Sequence, residues 1–266
     1  MIIEGSRVQG FKDSSEMLKN YIRVNITRRQ ACHLMAMIGL CLSVFLPFPI
    51  RHGLAKGKRI YRKKEKPMNL IPPIFDGDMS LEKAIKQRRT VRSFEHTPIT
   101  KQQFSQILWA AQGITDNRGF KRAAPSGGAL YPADVYAVVG QNCVEELTAG
   151  IYHYIPSDHS VQKGADGDRR KDIAIASLGQ MWMASAPVQF VVTAEYSRIT
   201  IKYGDRGVRY ALIEVGHIGQ NIFLQCQTVG LAAGIVGAFN DRKVARVLEI
   251  GKDHEPIIIF PVGWQG

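Results

Sequence analysis

Four short stretches of this 266-residue chain put chemically useful side chains at useful spacings. Arg88-Arg89-Thr90-Val91-Arg92 sits where a helical pattern gives way to an extended one. Alternate residues of an extended segment share a side, so Thr90 and Arg92 point together while Arg88 reaches from the helix end. Two guanidiniums and a hydroxyl form a receptor for a phosphate dianion; a solvated basic surface has the same composition. Ala124-Pro125-Ser126-Gly127-Gly128-Ala129-Leu130-Tyr131-Pro132 is fixed by proline at each end and stripped of side chains in its middle. Backbone N–H groups there can approach a flat ligand closely, unless the segment is simply a surface turn. Residues 230–239, with Val236 and Gly237, would let backbone lie against a ring system or would merely connect packed elements. Lys202-Tyr203, opening the run Lys202-Tyr203-Gly204-Asp205-Arg206, can deliver and accept protons near a redox centre; the alternative is a basic loop in solvent.

Other chemistries lack their residues. No GxGxxG, Walker A or HExxH occurs, so nothing points to a Rossmann dinucleotide fold, an NTPase or a zincin. Ser80-Leu81-Glu82-Lys83 fits SxxK without the partner motifs of that chemistry, and helix capping explains the serine better. His153, His159 and His217 suit structural or surface roles, and no metal site is expected. Cys32, Cys41, Cys143 and Cys226 make no CxxC, which excludes a disulfide framework or zinc ribbon and leaves buried thiols.

The elements that must hold these stretches are mixed α and β. Ser80 caps a helix running through Arg88, with Leu81, Ala84 and Ile85 on one face. Thr100 and Gln103 form a capping box for a helix with Phe104, Ile107, Leu108 and Ala111 inward, stopped at Gly113. Strands are expected at 134–139, 151–154, 188–194 and 256–262, with 159–162 as a hairpin partner across Pro156-Ser157-Asp158. Helices are expected at 168–178, at 207–229 with Ile213, Gly216, Gly219, Ile222 and Phe223 giving small and apolar faces, and at 241–248 capped by Asp241.

With 45% hydrophobic residues the chain can bury one sizeable core. This reading divides it into an N-terminal appendage, 1–66, and one domain, 67–266. The net charge of +12 belongs mainly to the appendage. Residues 1–55 contribute +4 and the run 56–66 contributes +6, leaving +2 for the rest. No nucleic-acid-binding motif accompanies the charge, so no nucleic-acid partner is expected. Arg28-Arg29 before the apolar stretch 31–50 resembles a twin-arginine export signal, and that stretch offers a possible membrane contact. Against export, Gln30-Ala31-Cys32 replaces the usual apolar pair, and the basic run that follows resists translocation. A working start at Met68 is a third reading, and the compartment stays open between cytoplasm, export and membrane.

The order of the signals is more specific than any one of them. A helix ending in RRTVRSF, then Pro98-Ile99-Thr100 and a helix ending in AAQG, then APSGGALYP, resembles the opening of the nitroreductase family. Tyr131-Pro132-Ala133-Asp134-Val135-Tyr136, Gly150-Ile151-Tyr152-His153-Tyr154 and the run KYGDRGVRYALIEVGHIGQN are similar to its SagB/ThcOx-type dehydrogenase branch. The resemblance covers residues 79–264. It implies an α+β fold with a central, mainly antiparallel sheet flanked by helices, and a homodimer with FMN held noncovalently at the subunit interface. It implies that Arg88, Arg89, Thr90 and Arg92 hold the FMN phosphate and ribityl chain. Pro125, Ser126 and Gly127 would line the isoalloxazine, and Val236 and Gly237 would meet it from the other direction. Lys202 and Tyr203 match the Lys-Tyr pair of azoline-oxidising members. Thr90 replaces the usual serine, keeping the hydroxyl, and a chain ending two residues after Trp264 lacks the basic tail some relatives add to the phosphate site.

Three functions share this reading. One is dehydrogenation of peptide azolines to azoles, with Lys202 and Tyr203 managing the proton. Another is reduction of nitro compounds, quinones or flavin, with NAD(P)H as a transient donor. The third, from a different class, is a non-catalytic flavin or peptide-binding protein.

Overall fold

Residues 66–266 are described by the computed structural model; the arginine pair, the apolar stretch 31–50 and all but the last residue of the basic run lie outside them. The Ser80 side chain accepts from the Lys83 N–H and starts α1 (Leu81–Gln87). Thr100 and Gln103 close the expected reciprocal capping box at the start of α2 (Lys101–Gln112). Four more helices follow: α3 (Arg170–Ala176), α4 (Ser197–Tyr203), α5 (Arg206–Thr228) and α6 (Asp241–Leu248).

Seven strands form one sheet: β1 (Met68–Asn69), β2 (Ala133–Val139), β3 (Gly150–Ile155), β4 (Ser160–Asp166), β5 (Val188–Ala194), β6 (Ala232–Ala233) and β7 (Glu255–Gly263). Their order is β1-β4-β3-β2-β5-β7-β6, and every pairing is antiparallel. Alternation along each strand feeds two apolar layers. Val135, Ala137, Phe190, Val192, Phe260 and Val262 face one side, with α2 and α5; Val138, Val191 and Ile259 face the other, with α3 and α6. Covering both faces explains why β5 is buried at all seven positions. This is the α+β, mainly antiparallel fold expected from the sequence.

Several local expectations need correction. Of the three residues on the shared face of α1, only Ala84 is buried; Leu81 and Ile85 are more than half exposed. Ile213 and Gly216 of α5 also face outward, while Gly219, Ile222 and Phe223 face in. The helix at 241–248 is capped by Asn240, whose side chain accepts from the Lys243 N–H, so Asp241 is its first residue instead. The hairpin partner runs on to Asp166. Residues 197–203, with no motif of their own, form α4, and Lys202-Tyr203 thereby end a helix rather than open a loop. No helix among the described residues is long and apolar enough to cross a membrane.

Helix α5 approaches the sheet closely at Gly219, where a Cβ would stand 2.5 Å from Cζ of the buried Phe260 ring. Gly219→Ala should therefore destabilise the fold, by up to about 2 kcal/mol. Overpacking of about 1–3 kcal/mol outweighs the roughly 1 kcal/mol that alanine gains in helix propensity. A urea midpoint at or above that of the parent would contradict this packing.

Candidate active site

The arginine segment is stitched to the small-residue segment by backbone. Thr90 bridges Ala233 in parallel, and the Val91 N–H donates to the Ala233 carbonyl at 3.0 Å. The approach is so close that a Cβ on Gly234 would lie 2.7 Å from the Val91 oxygen and 2.9 Å from the Trp182 ring. Three residues on, Gly237 is exposed with nothing within 4 Å of where its Cβ would be. Val236 instead points into the core and exchanges both backbone hydrogen bonds with Ile259. The arginines differ in what they can offer. Arg89 donates from Nη1 to the Lys86 and Arg88 carbonyls, closing the end of α1. Arg88 lies over the Phe223 ring at 5.2 Å, and Arg92 is exposed. Among the described residues none of the three has a carboxylate within ion-pair distance, so their charge is available to an anionic ligand.

The glycine-bearing turn is joined to the Lys-Tyr pair. Ser126 starts a short 3-10 turn, 127–129, and its hydroxyl accepts from the Tyr131 N–H at 2.9 Å. Gly128 has φ +64°, a left-handed conformation that suits glycine. A Cβ there would stand 2.5 Å from Tyr203 Oη and 3.1 Å from Lys202 Nζ. Tyr203 meets Tyr210 edge to face at 5.1 Å, and Tyr210 lies against Gly127. The Lys202 amino group and the Tyr203 hydroxyl therefore hang over bare backbone.

Two groupings had not been singled out from the sequence. Glu214, on α5, is buried and accepts from Gln112 Nε2 at 3.1 Å; Gln112 in turn accepts from Arg122, which stacks on the Tyr131 ring. Burial pushes its carboxyl up from the ordinary range, opposed by Ser126, Gln112, the Ala133 N–H and the Arg122 charge. Asp134, at the start of β2, pairs with Arg198 at 2.8 Å, with His254 at 3.0 Å and with His153 at 3.4 Å. Burial pushes the Asp134 carboxyl up, but hydrogen bonds from His153 and Arg198 and the Arg198 charge win and hold it at about 2. Asp134, Glu195 and His254 bring ligand-type atoms within 4.8 Å of one another, but Arg198 already supplies the positive charge between the two carboxylates.

The nitroreductase family profile matches residues 85–264, which span both groups and nearly all of the sheet. The chain belongs to the nitroreductase family. It is 43% identical over 186 residues to MJ1384 of Methanocaldococcus jannaschii, a protein named as a nitroreductase, covering 70% of this chain and 91% of that one. It is 29% identical over 147 residues to the microcin B17-processing protein McbC of Escherichia coli, covering 54% of each. A crystal structure from Ralstonia eutropha, also named as a nitroreductase, superimposes with a TM-score of 0.66 at 27% identity, covering 77% of this chain and 91% of that one. Membership makes the chain an oxidoreductase of the nitroreductase type.

Within this family fold, one chain brings the four stretches together only in pairs. Residues 88–92 join 233–237, and 126–128 join 202–203. The pairs are held at opposite ends of α5, by Phe223 and by Tyr210, about 20 Å apart at 1.5 Å per residue. Asp134 carried a faint sequence signal as the one acid of an otherwise apolar strand, and Glu214 as the one acid of α5; Arg198 and His254 carried none, since only folding brings them to Asp134.

The low Asp134 value has a stability consequence. Its folded pKa lies below the ordinary 3.8, so the ion pairs add stability that is fully present above about pH 4 and lost as pH falls toward 2. Asp134→Asn should cost on the order of 2 kcal/mol at neutral pH and flatten the acid side of the stability curve. Parallel acid-unfolding curves for variant and parent would refute the assignment.

Proposed function

We propose that this protein is an FMN-dependent dehydrogenase of the SagB/ThcOx type that oxidises azoline rings in a peptide to azoles, working as a homodimer with shared sites. The observation that carries the reading is Lys202 and Tyr203 standing over the bare backbone of Gly128. Family membership and the kinship with McbC, named for processing microcin B17, support it.

The residues suit FMN. Arg88 and Arg92 offer guanidinium charge without carboxylate partners among the described residues, as a phosphate dianion requires, with Thr90 beside them. Arg89 donates from Nη1 to the carbonyls at the helix end and so also fixes α1. Gly237 is open on one approach and Pro125, Ser126 and Gly127 supply a flat turn on another, leaving room for a ring system against backbone. A bound FMN would supply hydride-accepting chemistry for the azoline, whose second hydrogen would leave as a proton. Lys202 and Tyr203 receive that proton, and the edge-on Tyr210 ring holds Tyr203 in place. Arg88, Thr90 and Arg92 orient the phosphate end, and backbone N–H groups of the turn favour negative charge against them.

The separation along α5 supports the dimeric reading. Its exposed stripe runs Arg209, Leu212, Ile213, Gly216, His217 and Gln220, apolar at the centre and bare at Gly216. Gly216 lies midway between Tyr210 and Phe223. A twofold axis through it crosses two α5 helices antiparallel and sets one copy's arginine end beside its partner's glycine turn. The same pairing gives the exposed Leu81 and Ile85 of α1 something to pack on.

A second reading, NAD(P)H-dependent reduction of nitro compounds, quinones or flavin, is favoured by the identity to MJ1384. Stopped-flow mixing of flavin-loaded protein separates the readings. Bleaching of the flavin band by a thiazoline peptide and inertness to NADH and NADPH support the dehydrogenase; the reverse pattern supports the reductase, and inertness to all leaves a carrier. Lys202→Ala should keep its flavin yet lose azoline oxidation, and full turnover would remove Lys202 from the mechanism. Arg88→Ala should weaken FMN binding about tenfold to a hundredfold, the loss of one charge-assisted hydrogen-bond partner worth about 1.5–3 kcal/mol. Unchanged occupancy in a flavin titration would mean that the phosphate binds elsewhere.

A further inference from the structure

We propose that Arg198 is a positioning residue that locks α4 onto the glycine-bearing turn so that Lys202 and Tyr203 stay over Gly128. The inference rests on the reading of that pair as the proton-handling groups. Each guanidinium nitrogen has its own partner: Nε donates to Glu195 at 2.7 Å, Nη2 reaches Asp134 at 2.8 Å, and Nη1 donates to the Tyr131 carbonyl at 3.3 Å. One planar fork thus ties three segments together: the end of β5, the start of β2 and the end of the turn.

The turn is held at that point from both sides. Tyr131 has φ +47°, a left-handed conformation uncommon for a tyrosine. Its N–H is bound to the Ser126 hydroxyl and its carbonyl to Arg198, so the strained peptide is fixed at both ends. Arg198 and Lys202 are four residues apart on α4 and share a helix face. The face that grips the turn at Tyr131 therefore also presents Lys202 to Gly128. A cation in the first turn of a helix is otherwise unfavourable, because the helix dipole is positive there. No side chain caps the start of α4, so the Arg198 contacts fix its start in their place. His254 shares Oδ2 of Asp134 with the guanidinium, and His153 meets the other oxygen, Oδ1, so the carboxylate is held in place on both oxygens.

The test uses flavin-loaded protein and a short synthetic peptide carrying one thiazoline. Arg198→Ala should lower kcat about tenfold to a hundredfold, as expected for an ångström-scale misplacement of a catalytic group, with flavin content unchanged. Arg198→Lys, which keeps the charge but not the three-way fork, should recover part of the loss, and it carries the test if the alanine variant does not fold. On the residual rate of a Lys202→Ala background the Arg198 substitution should cost less than it does in the parent; an equal additional loss would mark general structural damage and overturn the proposal. An unimpaired Arg198→Ala beside an impaired Lys202→Ala overturns it alone, whereas full turnover of Lys202→Ala sinks the reading on which it rests. If the parent leaves the peptide untouched, the substrate assignment fails, and competitive acetylation decides the positioning. Arg198→Ala must then raise labelling of Lys202 severalfold relative to Lys171, and equal labelling would overturn the proposal.

Discussion

Helix α5 is a rigid spacer, and the length between Tyr210 and Phe223 governs everything the site can do. Tyr210 lies against the glycine-bearing turn and Phe223 carries Arg88, so the two ends cannot approach within one chain. The spacer is held close to the sheet by a contact that permits no side chain at Gly219, with the Phe223 and Phe260 rings meeting edge to face beside it. A site built on such a rod gains precise placement at each end.

Each end is then set by a different force. At the arginine end backbone hydrogen bonds do the work, because Val91, Ala233 and Gly234 pass too closely for side chains to intervene. Their charge can stay unpaired because the position of the segment does not depend on it. At the glycine end electrostatics does the work: Asp134, Glu195 and Arg198 fix a strained peptide and a short helix that local sequence would hold only weakly. The buried Glu214 beneath the same turn adds a chain of hydrogen bonds to Gln112 and Arg122, so the polar groups there are concentrated on the protein side of the loop.

Local rules carried far in the reading of the fold. The capping box at Thr100 and Gln103, the stop at Gly113 and the strand at 188–194 depend on contacts within a few residues or on simple burial, and all stand as expected. Errors came where a neighbour decides. Periodicity put Leu81, Ala84 and Ile85 on one face of α1 without saying whether its own chain covers that face, and it covers only Ala84. Asn240 outcompeted Asp241 as a cap because either side chain suits the role and the backbone entry angle selects between them. Helix α4 escaped notice because seven residues with no side-chain cap carry too little local signal, and its stability comes from what Arg198 reaches.

By itself the sequence determined the inventory: a phosphate-type arginine cluster, two bare-backbone segments and an adjacent lysine and tyrosine, in an order similar to one family, on a chain able to bury a single core. It determined these because residue type, spacing and local periodicity are properties of the chain before it folds. Only the tertiary structure decided that the four stretches unite as two pairs, that Arg89 turns back on its own helix, and that Arg198 serves as the tie. Those outcomes depend on distances between residues tens of positions apart, which are fixed by how α5 lies on the sheet.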